Sequence, residues 1–201
     1  MEQIAIYGGT FNPVHLGHLH LAAKAQAALG FDRLLFIPAR IPPHKAAVDL
    51  APGAARLEML RLAAAEIPNA QVSDIELKSK GKSYTIYTLE KLAVLFPKSQ
   101  LTLLMGSDML LTFDQWFRWR DILKLAALAV LAREADELPA LRRKAAALAP
   151  GRVTVIPAEP LPVSSTQIRR MIQGGGDPSA LLPPSVADYI AANKLYKKDK
   201  Q

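Results

Sequence analysis

An apolar run, Ile4-Ala5-Ile6-Tyr7, opens directly into Gly8-Gly9-Thr10-Phe11-Asn12-Pro13-Val14-His15-Leu16-Gly17-His18, and residues 19–29 then read as a helix. This strand–glycine turn–helix unit constrains the fold more than any other stretch. A short apolar run before a glycine pair reads as a buried strand. Free backbone N–H groups in such a turn, backed by the partial positive charge of a helix start, form a natural anion site. His15 and His18 stand three apart, so they can share one helix face. The unit therefore predicts a site for a nucleotide's phosphates.

The rest of the chain alternates strand-like and helix-like segments. Strands are expected at residues 32–38, 70–77, 101–105, 126–132 and 153–156, and helices at 54–66, 84–96 and 137–148. This alternation predicts an α/β fold with a doubly wound, mostly parallel sheet. Such sheets take ligands at the carboxyl ends of their strands, where strand order reverses. One domain, residues 1–201, is expected, with no linker or internal repeat. Gly174-Gly175-Gly176 reads as the stop of a preceding helix.

Half of the 201 residues are hydrophobic and 21% are charged, a globular balance. No apolar stretch is long and uncharged enough to span a bilayer, and no signal peptide is expected at the N-terminus. With no cysteine, disulfides and thiolate catalysis are excluded and a cytoplasmic location is expected. The net charge of +7 admits either nucleic acid or small anionic substrates as partners. The basic residues are not interleaved with aromatic ones as a single-strand binder requires, which favours the small anions. Part of the excess lies in residues 194–200, expected to fray, and part in Arg142-Arg143-Lys144 on an exposed helix.

A second hydroxyl-rich segment, Val163-Ser164-Ser165-Thr166-Gln167-Ile168-Arg169-Arg170, precedes another helix. Ser and Thr here can be plain helix caps. They can equally hold phosphate at the helix start, with Arg169 adding charge. Gly81-Lys82-Ser83 ends like a phosphate-binding Walker loop, but Glu76 stands where that loop needs glycine. Zinc at His15 and His18 lacks further ligands, and no protein metal site is expected. His20 lies on another face and reads as structural.

The segment His15-Leu16-Gly17-His18 resembles the HxGH signature of the nucleotidyltransferase superfamily, and GGTFNPVHLGH is similar to bacterial nicotinate-nucleotide adenylyltransferases. VSSTQIR resembles the ISSTxIR motif of the same superfamily. Pro42-Pro43-His44-Lys45, Ser83-Tyr84-Thr85 and Gly106-Ser107-Asp108 with Trp116 and Trp119 resemble further blocks of that family. Asn12 departs from its usual aspartate, Ala39 from an asparagine, and Ser107 from an alanine.

The resemblance implies a Rossmann-like nucleotidyltransferase fold with a short helical C-terminal part at residues 163–196. It implies adenylyl transfer from ATP to nicotinate mononucleotide, giving deamido-NAD and pyrophosphate in NAD biosynthesis. His15, His18 and Arg169 would be the catalytic groups. Gly8, Gly9, Thr10, Phe11, His18, Gly106, Asp108, Ser164, Ser165, Thr166 and Arg169 would bind ATP. His44, Lys45, Tyr84, Thr85 and Trp116 would bind the mononucleotide. Mg2+ would arrive with ATP. The expected partners are ATP and nicotinate mononucleotide, with no nucleic acid and no membrane, and a homo-oligomer is compatible with the sequence. A related transferase with another acceptor, nicotinamide mononucleotide or phosphopantetheine, and a non-catalytic nucleotide-binding module are the alternatives.

Overall fold

The computed structural model describes residues 1–41, 50–132, 134–159 and 161–197. Six strands form one sheet: β1 (Glu2–Gly9), β2 (Arg33–Pro38), β3 (Ala70–Val72), β4 (Ser99–Gly106), β5 (Ala126–Ala132) and β6 (Val153–Pro157). Their order is β3-β2-β1-β4-β5-β6 and every pairing is parallel. The fold is the expected doubly wound α/β architecture. Parallel strands need long crossovers, supplied by α1 (Leu16–Leu29), α2 (Gly53–Ala64), α3 (Thr85–Leu95), α4 (Ser107–Leu111), α5 (Trp119–Leu125) and α6 (Leu138–Leu148). Helices α7 (Ser165–Gln173) and α8 (Pro184–Ala192) complete the chain.

Alternate side chains of the central strands feed two cores. Ala5, Tyr7, Leu34 and Phe36 pack on one face with α1, α2, α7 and α8. Ile4, Ile6, Leu35 and Ile37 pack on the other with α3, α5 and Leu141 of α6. This two-faced burial is why the strands read as continuous apolar runs. Strand order reverses between β1 and β4, so their carboxyl ends, Gly8-Gly9 and Gly106, flank the crevice where such sheets bind ligands.

Three expectations need correction. The strand expected over residues 70–77 stops at Val72. Lys78 N–H donates to the Asp74 carbonyl and the Lys78 ammonium pairs with the Asp74 carboxylate at 3.0 Å, so a local turn replaces the ladder. Helix α1 starts at Leu16, one turn before residue 19, which makes His15 its N-cap residue. The tail does not fray at residue 194. Leu195 and Tyr196 pack against the α1–α2 core.

Glycines behave as expected after α7. The N–H groups of Gly174, Gly175 and Gly176 meet the carbonyls of Arg170, Ile172 and Met171, with Gly175 left-handed at φ +79°.

Candidate active site

A cavity of about 540 Å3 opens at the carboxyl ends of β1 and β4. One wall is the glycine turn, Gly8 to Phe11, with His18. Tyr84, Thr85, Trp116, Gly106 and Asp108 also line the cavity. Ser165 reaches in from α7. A roomier cleft of about 670 Å3 lies beyond Glu76, Ser83 and Tyr84, under Tyr87 and Lys91. It touches neither the glycine turn nor any strand end, so the first cavity is where the fold presents its anion-binding backbone.

The turn after β1 is shaped by Phe11. Its backbone is left-handed at φ +48°, which is costly for a residue with a Cβ. Its ring compensates by burial, edge-on to Tyr7 at 5.6 Å and Phe36 at 5.9 Å, and 5.0 Å from the His18 ring. Gly9 lies so close to that ring that a Cβ there would meet it at 2.9 Å. Gly8 has open space where a Cβ would project. Close approach thus requires glycine at position 9, whereas position 8 borders the cavity with room for a side chain.

The histidines occupy the start of α1. His15 N–H donates to His18 Nδ1 at 3.2 Å, the return half of a capping arrangement. The accepting Nδ1 leaves the proton of a neutral His18 on Nε2, a donor for a phosphate oxygen on this cavity wall. His15 is buried behind His18, outside the cavity lining, with ring centroids 3.8 Å apart. Burial lowers its pKa to about 4, so it is neutral at pH 7. Gly17 permits the contact between α1 and the segment before α7, because a Cβ would meet Val163 at 2.9 Å and the His15 ring at 3.1 Å. His20 instead bonds the Glu159 carbonyl at 2.7 Å, a structural role.

Helix α7 brings the second hydroxyl segment to the same place. Ser164 caps the helix, its Oγ accepting from Gln167 N–H at 3.2 Å. Ser165 Oγ donates to the Pro13 carbonyl at 2.9 Å. Arg169 donates from Nη1 to the Asn12 carbonyl at 2.8 Å and from Nη2 to Thr166 Oγ1 at 3.3 Å. The two motifs, some 150 residues apart, are therefore bonded together. Ser164, Thr166 and Arg169 flank the cavity without lining it.

On the acceptor side, Tyr84 precedes α3 and its side chain does not cap it. Thr85 begins that helix at the cavity wall, and the first-turn N–H groups of a helix start are suited to an anion. Trp116 packs on Phe113 at 5.3 Å, and Phe117 on Tyr84 at 5.0 Å. Arg118 fixes this aromatic loop by pairing with Glu90 of α3 at 2.9 Å and Asp121 of α5 at 2.8 Å. His44 and Lys45 lie outside the described residues.

Sequence reasoning missed several groups. Glu76 lines the cavity and accepts from Thr88 Oγ1 at 2.7 Å, bracing the start of α3. Burial raises its pKa, while hydrogen bonds from Thr88 and Ser83 and the Lys91 charge oppose the rise. Arg56 of α2 is 1% exposed and donates to three carbonyls, Ala51 at 3.1 Å, Thr10 at 2.9 Å and Ala39 at 2.7 Å. Tyr196 donates to Asn12 Oδ1 at 2.9 Å. A lone arginine on an apolar helix face was the one available signal for Arg56. The others depend on distant contacts and had none.

A parallel sheet reversing at β1 and β4, with a glycine turn, a histidine pair and a hydroxyl-rich helix start at the reversal, defines a nucleotidyltransferase. The chain belongs to the cytidylyltransferase-like family, whose profile matches residues 6–171. Within it, the chain is a member of the nicotinate-nucleotide adenylyltransferases. It is 41% identical to a probable nicotinate-nucleotide adenylyltransferase of Aeromonas salmonicida, covering 98% of both chains. It is 37% identical to the protein of the same name in Symbiobacterium thermophilum, covering 98% of this chain and 96% of that one. The solved Plasmodium falciparum nicotinic acid mononucleotide adenylyltransferase complexed with NaAD shares the fold, with a TM-score of 0.80 and 19% identity over 98% of each chain.

Proposed function

We infer that this chain transfers the adenylyl group of ATP to nicotinate mononucleotide, releasing pyrophosphate and forming deamido-NAD. The observation that carries this reading is the cavity itself. Its lining joins the glycine turn and His18 to the start of α3, which has no side-chain cap, and Trp116, groups that belong to the two different cores of the sheet. The first group suits a polyphosphate, and the second suits a flat ring bearing a carboxylate.

In the reaction a phosphate oxygen of the mononucleotide attacks the α-phosphorus of ATP. The bond from that phosphorus to the bridging oxygen of the β-phosphate breaks, and the electron pair leaves with pyrophosphate. The attacking oxygen is already an anion, so no protein nucleophile is required. The protein contributes positioning and charge stabilisation. Gly8, Gly9, Thr10 and Phe11 present backbone to ATP. His18 donates from Nε2 to the α-phosphate as charge builds there. His15 acts through His18, holding its ring and tautomer. Ser164, Ser165, Thr166 and Arg169 at the head of α7 hold the pyrophosphate side.

Thr85 and the N–H groups opening α3 receive the nicotinate carboxylate, and Trp116 stacks on the ring. Tyr84 closes that end, and His44 and Lys45 are assigned to the mononucleotide's phosphate. Gly106 and Asp108 face the ATP ribose or the magnesium that ATP carries. Among the described residues no group of three or more His, Asp or Glu side chains is placed to hold a metal. The donor set suits an ion held mainly by phosphate and water, with Asp108 as its acidic neighbour. Among the same residues no helix is long and apolar enough to cross a membrane. A cytoplasmic setting fits the cysteine-free chain.

The test is pyrophosphate release from ATP and Mg2+ with nicotinate mononucleotide, nicotinamide mononucleotide and phosphopantetheine as acceptors. Nicotinate mononucleotide should give the highest kcat/KM. Equal values for the acid and amide forms would remove the carboxylate assignment, and preference for phosphopantetheine would overturn the reading.

A further inference from the structure

Behind the glycine turn lies a buried polar cluster of Asn12, Arg56 and Tyr196, none of which the transfer chemistry uses directly, and Arg169, assigned above to the pyrophosphate side, bonds to it. Asn12, 5% exposed, is its centre. Its Oδ1 accepts from Ala51 N–H at 3.0 Å and from Tyr196 OH at 2.9 Å, and its carbonyl accepts from Arg169. Arg56 completes the cluster, its guanidinium spanning the carbonyls of Thr10, Ala39 and Ala51. Both guanidiniums act electrostatically on the Tyr196 phenol, whose pKa burial nonetheless raises, so it stays neutral at pH 7.

Among the described residues, Arg56 and Arg169 donate to carbonyls and a hydroxyl. Among the described residues neither meets a carboxylate within ion-pair distance. Carbonyl dipoles satisfy N–H groups but do not cancel a net charge, and a buried charge is costly without a counter-charge. The Asn12 side chain shares Ala51 with Arg56, its own backbone carbonyl meets Arg169, and it is a neutral amide.

We propose that neutral Asn12 leaves the platform beneath the glycine turn net positive in the ligand-free protein, so that the polyphosphate of the bound nucleotide supplies the missing counter-charge. The inference rests on the adenylyltransferase reading for the identity of that ligand. It assigns Asn12 and Arg56 a positioning and electrostatic role rather than contact with the reacting atoms. Asn12 trades ligand-free stability for nucleotide affinity.

The test is Asn12→Asp, a near-isosteric change that adds one negative charge. Its carboxylate can still accept from Ala51 N–H and Tyr196 OH. The expected results are a higher melting temperature without ligand and a roughly tenfold weaker affinity for inorganic tripolyphosphate by calorimetry. KM for ATP should rise by a similar roughly tenfold factor with kcat much less changed. The salt dependence of tripolyphosphate binding should flatten, because one net positive charge is gone.

Arg56→Gln carries the test if Asn12→Asp does not fold, because its amide can still meet the carbonyls while one charge is removed. Tripolyphosphate should again bind more weakly. Unchanged tripolyphosphate affinity in whichever variant folds would overturn the proposal, as would a lower ligand-free melting temperature in a folded Asn12→Asp. Wild-type protein that binds tripolyphosphate in this charge-dependent way but releases no pyrophosphate with any acceptor would sink the adenylyltransferase reading alone.

Discussion

The imidazoles of His15 and His18 stack with centroids 3.8 Å apart and planes inclined by 35°. Two imidazolium ions at that distance would repel, and the structure avoids this by burying His15 in its neutral form. His18, on the cavity wall, is then oriented by a neutral ring on one side and by the His15 N–H on its Nδ1.

His15 should therefore give the protein an acid limb. Its folded pKa of about 4 lies below the unfolded value of 6.5. Between those values the unfolded chain binds a proton that the folded chain does not. Stability is thus fully present above pH 6.5 and falls as pH drops toward 4, by roughly 3 kcal/mol in all. Denaturant unfolding of wild type and His15→Asn between pH 7 and 4 checks this. The variant should show a shallower decline, and parallel curves would refute the assignment.

Removing the His18 ring should cost far more in rate than in binding. His18→Ala is expected to lose about 3 kcal/mol of barrier stabilisation, a fall of roughly a hundredfold or more in kcat. Steady-state kinetics with both substrates saturating measures it. Turnover within a few-fold of wild type would place the key donor elsewhere.

The consecutive glycines should fail differently. In Gly9→Ala the new methyl meets the Phe11 ring at 2.9–3.2 Å, and that ring is itself buried against Tyr7 and Phe36. A loss of about 1–3 kcal/mol is expected. Gly8→Ala meets nothing within 4 Å yet borders the cavity, so its melting temperature should hold while KM for ATP rises. Thermal melts beside ATP kinetics separate the two.

Gly17→Ala should damage stability and catalysis together. The methyl would press on Val163 and on the His15 ring, the contacts that seat the α7 segment against α1. The expected signature is a lower melting temperature and weaker ATP binding, read by calorimetry. Intact affinity at a lowered melting temperature would mean that the α7 segment does not serve the polyphosphate.

Trp116→Ala should act on one substrate. Loss of stacking on the nicotinate ring is expected to raise KM for the mononucleotide by roughly tenfold while KM for ATP stays near wild type. Equal increases for both would show that Trp116 only supports the loop fixed by Arg118.

The unit from Ile4 to His18 was readable because its evidence is local: an apolar run, a glycine pair and a helix within a few residues. The same holds for Ser164, whose hydroxyl caps the N–H of Gln167 three residues on, whereas the Ser165 hydroxyl serves the distant Pro13 carbonyl. The alternating apolar segments likewise foretold a parallel sheet, since both faces of such strands are buried. The over-long strand at 70–77 erred where local turn bonds at Asp74 and Lys78 outcompete a ladder.

What pattern alone determined, then, was which segments form the strands of the sheet and that a glycine turn follows the first of them. Tertiary structure decided how the charges stand. Arg169 reaches the Asn12 carbonyl across 157 residues, Tyr196 the Asn12 side chain across 184, and Arg56 the Thr10 carbonyl across 46. It also hid His15 behind His18. The physical reason is range: backbone propensity and hydrophobic period act over a few residues, whereas burial and electrostatic pairing exist only once remote parts of the chain have been brought together.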